Sequence, residues 1–179
     1  MYGMIHRAAR DMVRSAGGDE LWDRILLQSG LKDDEFVSAL AYPDETTFRL
    51  IGAVAAEMNL SLEEALGQFG RYWITFAHAS SYSPLMKMAG DDLFGFCENL
   101  DRMHASIKIS LPDVDVPSFR VIETGDASIR IGYLSSRAGL EPFVIGLFEG
   151  LLDHFNQTGE VTCVGPIDQG IEFLIQIKG

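Results

Sequence analysis

The stretch DDLFGFCENLDRMHASIKIS, residues 91–110, decides how the rest of the chain is read. Leu93, Phe96, Cys97, Leu100, His104 and Ile107 recur at offsets of three and four, the spacing of one apolar helix face. Asp101 and Arg102 fall on the other side, where a solvated face is expected. Leu111-Pro112 then stops the helix, and Pro117 marks a second break before the periodicity changes. Residues 118–123 and 128–134 (SIRIGYL) alternate like paired strands about a turn at Gly125-Asp126. Helical spacing returns over residues 141–155, through Phe143, Leu147, Leu151, Leu152 and Phe155. Residues 160–164 and 171–177 read as two closing strands joined across 165–170.

Upstream, the pattern is helical. Residues 4–15 turn Ile5, Ala8, Ala9, Met12 and Val13 inward and Arg7, Arg10 and Arg14 outward. Gly17-Gly18 ends that helix, and Asp19 caps another carrying Leu21, Trp22, Ile25 and Leu26. A short acidic helix is expected near residues 33–40. Tyr42-Pro43-Asp44 breaks the chain before a helix over 45–58. Ser61-Leu62-Glu63-Glu64 is a capping box opening a long helix through Leu66, Phe69, Tyr72, Trp73 and Phe76 to about Ser80. Residues 82–90 read as a loop or a short helix. Helices and strands are thus segregated, which makes the fold class α+β: a helical N-terminal part (about 1–110) packed on a small antiparallel sheet with one covering helix (about 111–179). No Pro/Ser-rich linker divides the chain, so 1–179 reads as a single domain.

Composition narrows the function. The chain has 179 residues, enough to bury a sizeable core without disulfides, and 47% hydrophobic with 22% charged residues is globular. A net charge of -12 with no basic stripe argues against nucleic acid or an anionic membrane surface. The N-terminus does not read as a signal peptide, and no window is apolar enough to span a membrane. A reduced, cytoplasmic location is the expectation. Cys97 and Cys163 are far apart and form no zinc spacing.

Two constellations carry chemistry. A histidine on an apolar helix face must satisfy both ring nitrogens or give one to a metal, so His104 is either a plain core residue or a ligand. Tyr133, Ser135 and Arg137 follow one another at every second position, on one face of a strand end. Two hydroxyls and a guanidinium suit a carboxylate or phosphate. Haem needs an axial ligand, a dry apolar pocket and partners for two propionates: His104 would supply the first, the aromatic and aliphatic faces of the helices the second, and Tyr133, Ser135 and Arg137 the third.

On these residues the chain resembles the haem nitric oxide/oxygen binding (H-NOX) domains, which include bacterial stand-alone members and the haem domain of soluble guanylate cyclase. The resemblance runs from Met1-Tyr2-Gly3 to the closing strands. It is most specific in Asn99-Leu100-Asp101-Arg102-Met103-His104, in Pro117-Ser118-Phe119, and in Tyr133-x-Ser135-x-Arg137 followed by Gly146-Leu147-Phe148-Glu149-Gly150. It implies haem b (iron protoporphyrin IX) buried between the helical part and the sheet. His104 would be the axial iron ligand, Tyr133, Ser135 and Arg137 the propionate partners, and Pro117 the residue that presses the macrocycle out of plane.

In oxygen-binding members a tyrosine from the helix after the Y-x-S-x-R motif donates to the bound gas. Here residues 139–147 hold no tyrosine. Bound dioxygen gains on the order of 1–3 kcal/mol from a buried donor and nitric oxide much less. The expectation is therefore a sensor of nitric oxide and carbon monoxide that excludes oxygen, with Ile5, Ala9, Trp73, Val144 and Leu147 lining the distal pocket. The alternative is an oxygen binder using Tyr2 or Tyr72 as donor. A haem enzyme would need distal acid–base groups that this pocket does not offer, so no catalysis is expected; an iron-free interaction module would leave His104 as plain core. Signalling is expected to begin with release of the iron–His104 bond and to pass to a separate partner, a histidine kinase or a cyclic-di-nucleotide enzyme. His6 and His78 read as partly exposed helix residues, His154 as packing near the last helix. With Cys163 its sole C-terminal cysteine, the chain should lack the cysteine-and-histidine zinc site of some relatives.

Overall fold

The computed structural model describes residues 1–33, 36–110 and 115–178. Its helices are α1 (Gly3–Ser29), α2 (Asp44–Glu57), α3 (Leu62–Ala79), α4 (Ser83–Ala89), α5 (Leu93–Ser110) and α6 (Glu141–His154). Its strands are β1 (Ser118–Thr124), β2 (Ser128–Leu134), β3 (Gly159–Ile167) and β4 (Gly170–Ile177), in the antiparallel order β1-β2-β4-β3. This is the α+β architecture expected from the segregation of periodicities. No helix among the described residues is long and apolar enough to cross a membrane.

Local chemistry explains most boundaries. The two helices expected on either side of Gly17-Gly18 form one element bent at Gly18, whose φ of 72° breaks the helical run. Ser61 caps α3 as a full box: its hydroxyl accepts from the Glu64 amide (3.2 Å) while the Glu64 carboxylate accepts from the Ser61 amide (2.8 Å). β3 runs on to Ile167, so the turn into β4 is tighter than the span 165–170 suggested.

The short acidic helix expected near 33–40 does not form among the described residues there. Part of it, residues 34–35, lies outside them, as does the Leu111-Pro112 stop. The carbonyls of Ser38 and Leu40 instead accept from the amides of Met4 (3.2 Å) and Gly3 (2.9 Å), satisfying orphan donors at the start of α1. The Asp33 carboxylate likewise accepts from the Trp22 indole at 2.9 Å. These long-range bonds hold residues 38–40 against the start of α1.

Two cores result. One joins α1, α2 and α3 through Trp22, Ile25, Leu50, Val54, Leu66 and Phe69. The other joins the inner sheet face (Ile129, Ile131, Phe173, Ile175) to α5 and α6 through Phe96, Phe148 and Leu151. α3 and α6 cross so closely that a Cβ on Gly70 would strike the Phe143 carbonyl, and one on Gly146 the Gly67 carbonyl. Trp73 packs against both cores. The functional cavity opens where they meet.

Candidate functional site

α5 presents His104 at the edge of this cavity, half-buried. The Pro117 carbonyl lies 3.0 Å from its Nδ1, and a carbonyl can only accept, so Nδ1 carries the proton. Nε2 is left with its lone pair. Burial lowers the His104 pKa below the ordinary value, against the upward pull of the Pro117 hydrogen bond and the Asp101 charge. The ring is thus neutral at pH 7, as a metal ligand must be.

One turn earlier, Asp101 corrects its expected solvated role. Its carboxylate accepts from the Phe119 amide (2.6 Å) and the Ser118 hydroxyl (3.0 Å). His104 and Asp101 therefore latch α5 to three consecutive residues at the start of β1. Arg102 does face solvent.

β2 supplies Tyr133, buried against Phe119 with ring centroids 5.1 Å apart. β2 ends at Leu134, so Ser135 and Arg137 stand on the segment beyond the strand, yet both reach the same cavity. Burial raises the Tyr133 phenol pKa, offset in part by hydrogen bonding with Ser135 and by the Arg137 charge. The Ser135 hydroxyl accepts from the Arg137 amide at 3.1 Å. The guanidinium donates through Nε to Asp44 (2.8 Å) and through Nη1 to the Asp115 carbonyl (3.0 Å), with the Asp115 carboxylate 3.2 Å away. Burial tends to raise the Asp44 carboxyl pKa, but hydrogen bonds from the chain's N-terminal amine and from Arg137 outweigh it and hold it below its usual value.

The cavity, about 200 Å³, is walled almost entirely by apolar atoms. His104 stands on its wall, as do Tyr133, Ser135, Arg137 and Asp115, with Asp44 paired to Arg137. The arrangement suits a flat apolar group with an anionic edge and a metal centre: one free imidazole nitrogen, dry walls, and hydroxyl and guanidinium donors together.

The haem-NO-binding family model matches residues 2–163. This chain belongs to that family. It is 30% identical over 150 residues to soluble guanylate cyclase gcy-35 of Caenorhabditis elegans, covering 82% of this chain and 22% of that one. It is 32% identical over 111 residues to guanylate cyclase soluble subunit beta-2 of Rattus norvegicus, covering 62% and 16%. The chain thus spans about a fifth of the length of the curated relatives it matches. Among solved structures, an H-NOX protein from S. oneidensis in the Fe(II)NO ligation state superposes with a TM-score of 0.87 at 21% identity, covering 100% of both chains. The Fe(II) unliganded H-NOX protein from K. algicida superposes with a TM-score of 0.82 at 24% identity, covering 100% of this chain and 97% of that one. The chain is an H-NOX haem-based gas-sensor domain, related to part of the soluble guanylate cyclases.

In this H-NOX domain, Ile5, Trp73, Val144 and Leu147 line the cavity, as does Pro117 beside His104. Ala9 does not: it is buried in the α1–α3 core, one helical turn beyond Ile5. Tyr2 is on the wall, whereas Tyr72 packs against the α1–α3 core without lining the cavity. His6 is not partly exposed but fully buried, with Nε2 2.8 Å from the hydroxyl of Thr47, another wall residue. His78 is half-buried as expected, and His154 is exposed and stacks on it.

Several wall residues carried no signal of their own. Ile51, Phe69, Leu140 and Phe143 have the helical spacing of ordinary core, and only the meeting of two cores turns them toward a cavity. Asp44 read as a helix start. Its partner Arg137 is 93 residues away, beyond any local pattern.

Proposed function

We propose that this domain senses nitric oxide, with carbon monoxide as a second ligand, at a ferrous haem b and does not hold oxygen stably. The observation that carries the reading is His104, whose Nδ1 is committed to Pro117 and whose Nε2 is left to an apolar cavity rimmed by Tyr133, Ser135 and Arg137. His104 Nε2 would hold the iron, the three rim residues the propionates, and Pro117 would bear on the macrocycle. Bound there, the haem supplies the centre to which a diatomic gas adds.

The residues facing that centre favour nitric oxide. The wall segment after the rim contributes Leu140, Phe143, Val144 and Leu147, none of which donates a hydrogen bond. The Thr47 hydroxyl is already paired with His6. Dioxygen therefore forgoes roughly 1–3 kcal/mol that a donor would give it. Tyr2 favours a second reading, since a hydroxyl-bearing side chain on the wall is what an oxygen binder needs.

Signalling begins when His104 is released. α5 then stays joined to β1 through Asp101 and the 117–119 backbone, so a displacement of the helix passes into the sheet edge. A separate partner reads it, for which a histidine kinase or a cyclic-di-nucleotide enzyme fits the stand-alone members, in the cytoplasm. A surface with net charge -12 would meet a basic face on that partner.

The test is the absorption spectrum of reduced protein, in air and then under nitric oxide. A Soret band unmoved by air and shifted by nitric oxide supports the reading, and His104→Gly should lose the protein–iron bond, with added imidazole restoring ligation of the iron but not its link to the chain. An oxygen complex abolished by Tyr2→Phe would instead establish the second reading.

A further inference from the structure

Away from the cavity, the ends of α3 and α6 bring two imidazoles together. His78, in the last turn of α3, and His154, the last residue of α6, stack with ring centroids 3.7 Å apart and planes 27° from parallel. No hydrogen bond from a described residue reaches either ring. Two imidazolium cations would repel at this separation, so at least one ring is neutral. For His78, burial lowers the pKa, and the nearby His154 and Lys87 act in the same direction.

Both helices terminate here, so their dipoles place partial negative charge at each C-terminus, while the carbonyls of Ala77, Leu151, Leu152 and Asp153 are already paired. Among formal charges, Asp153 adjoins His154 but is held by Arg71 through two hydrogen bonds of 2.5 and 2.8 Å. Glu149 lies 4.0 Å from the same guanidinium. Lys87 opposes binding from α4.

We propose that His78 and His154 form a two-imidazole site for a borderline divalent ion of the Ni(II), Cu(II) or Zn(II) class. Imidazole is a preferred ligand for these ions, whereas harder cations seek oxygen ligands, and the nearby carboxylates of Asp153 and Glu149 are engaged by Arg71. Among the described residues no third histidine, cysteine or carboxylate completes a cluster, so water fills the remaining positions. The stacked pair is not yet a chelate. A chelate would require the exposed His154 ring to rotate out of the stack until one of its nitrogens and one of His78 face the same ion. Such an ion would staple the ends of the two helices whose walls include Phe69, Trp73, Val144 and Leu147. The site stands apart from the haem reading and does not depend on it.

The experiment is calorimetric titration of Ni(II) into the haem-loaded protein at neutral pH. A Cys163→Ser background removes the half-buried thiol as a competing ligand. The expected result is saturable binding of a single ion, weakened roughly 10–100-fold or more in both His78→Gln and His154→Gln, since even losing an outer partner of a ligand costs that much. The ion should also raise the unfolding temperature of the parent and of neither variant. Absence of saturable binding, or affinity unchanged in both variants, would overturn the proposal. So would loss in only one variant, which would mean a single surface imidazole.

Discussion

His6 offers a quantitative test of how the helical core is wired. It is fully buried, with ring centroids 4.7 Å from Phe36 and 5.0 Å from Tyr42. Its Nε2 meets Thr47 and its Nδ1 has no partner among the described residues. A proton taken up here would place a charge in an apolar surround. Burial chiefly, and the N-terminal amine's charge next, push the pKa from 6.5 down to about 4. An unfolded histidine titrates near its ordinary value, so below it the unfolded chain binds a proton that the folded one refuses. Stability is therefore retained above the unfolded pKa and lost as pH falls towards the folded one. At about 1.4 kcal/mol per pKa unit, the loss reaches about 2 kcal/mol by about pH 5 and about 3 kcal/mol by about pH 4. The perturbation is His6→Leu combined with Thr47→Val, which leaves no hydroxyl stranded. The assay is urea denaturation of both proteins at about pH 7.5, 6 and 5, comparing the stability gap between them so that other titrating groups cancel. The gap should move by about 2 kcal/mol in favour of the variant on reaching about pH 5. A gap that does not change with pH would refute the assignment of the buried, neutral imidazole.

Other consequences follow from single contacts. Asp101→Asn weakens a charged acceptor shared by the Phe119 amide and the Ser118 hydroxyl, with a cost of roughly 1–3 kcal/mol, seen as lower stability and faster hydrogen exchange at Phe119. Gly146→Ala drives a methyl into the Gly67 carbonyl, where backbone cannot give; a loss of roughly 1–3 kcal/mol is expected in thermal unfolding, with a shifted gas-binding spectrum because Val144 and Leu147 move too. Ser61→Ala removes the α3 cap at about 1 kcal/mol and should leave the spectrum untouched, since the cap is exposed and not part of the cavity wall.

The elements themselves were legible because their causes are local. The apolar spacing of α5, the capping box of α3 and the alternation of β2 each lie within a few residues, and the observed bounds fall close to the expected ones. Residues 33–40 were not legible, since their carbonyls serve the start of α1 and that demand comes from another part of the chain. His6 misled for a related reason. Its place beside outward-pointing arginines suggests exposure, but Phe36 and Tyr42 close over it.

The sequence alone was enough for the fold class and for most of the elements in their order, and it singled out His104, Tyr133, Ser135 and Arg137, which the fold brings to the wall of one cavity. Side-chain chemistry and period are written in the neighbouring residues, so they can be read there. Only the tertiary structure decided that two cores meet to leave a cavity, that Asp44 crosses 93 residues to hold Arg137, and that Asp101 and His104 together latch α5 to β1. Those contacts join segments far apart in the chain, and an ion pair or hydrogen bond formed only on folding leaves no periodicity behind in the sequence.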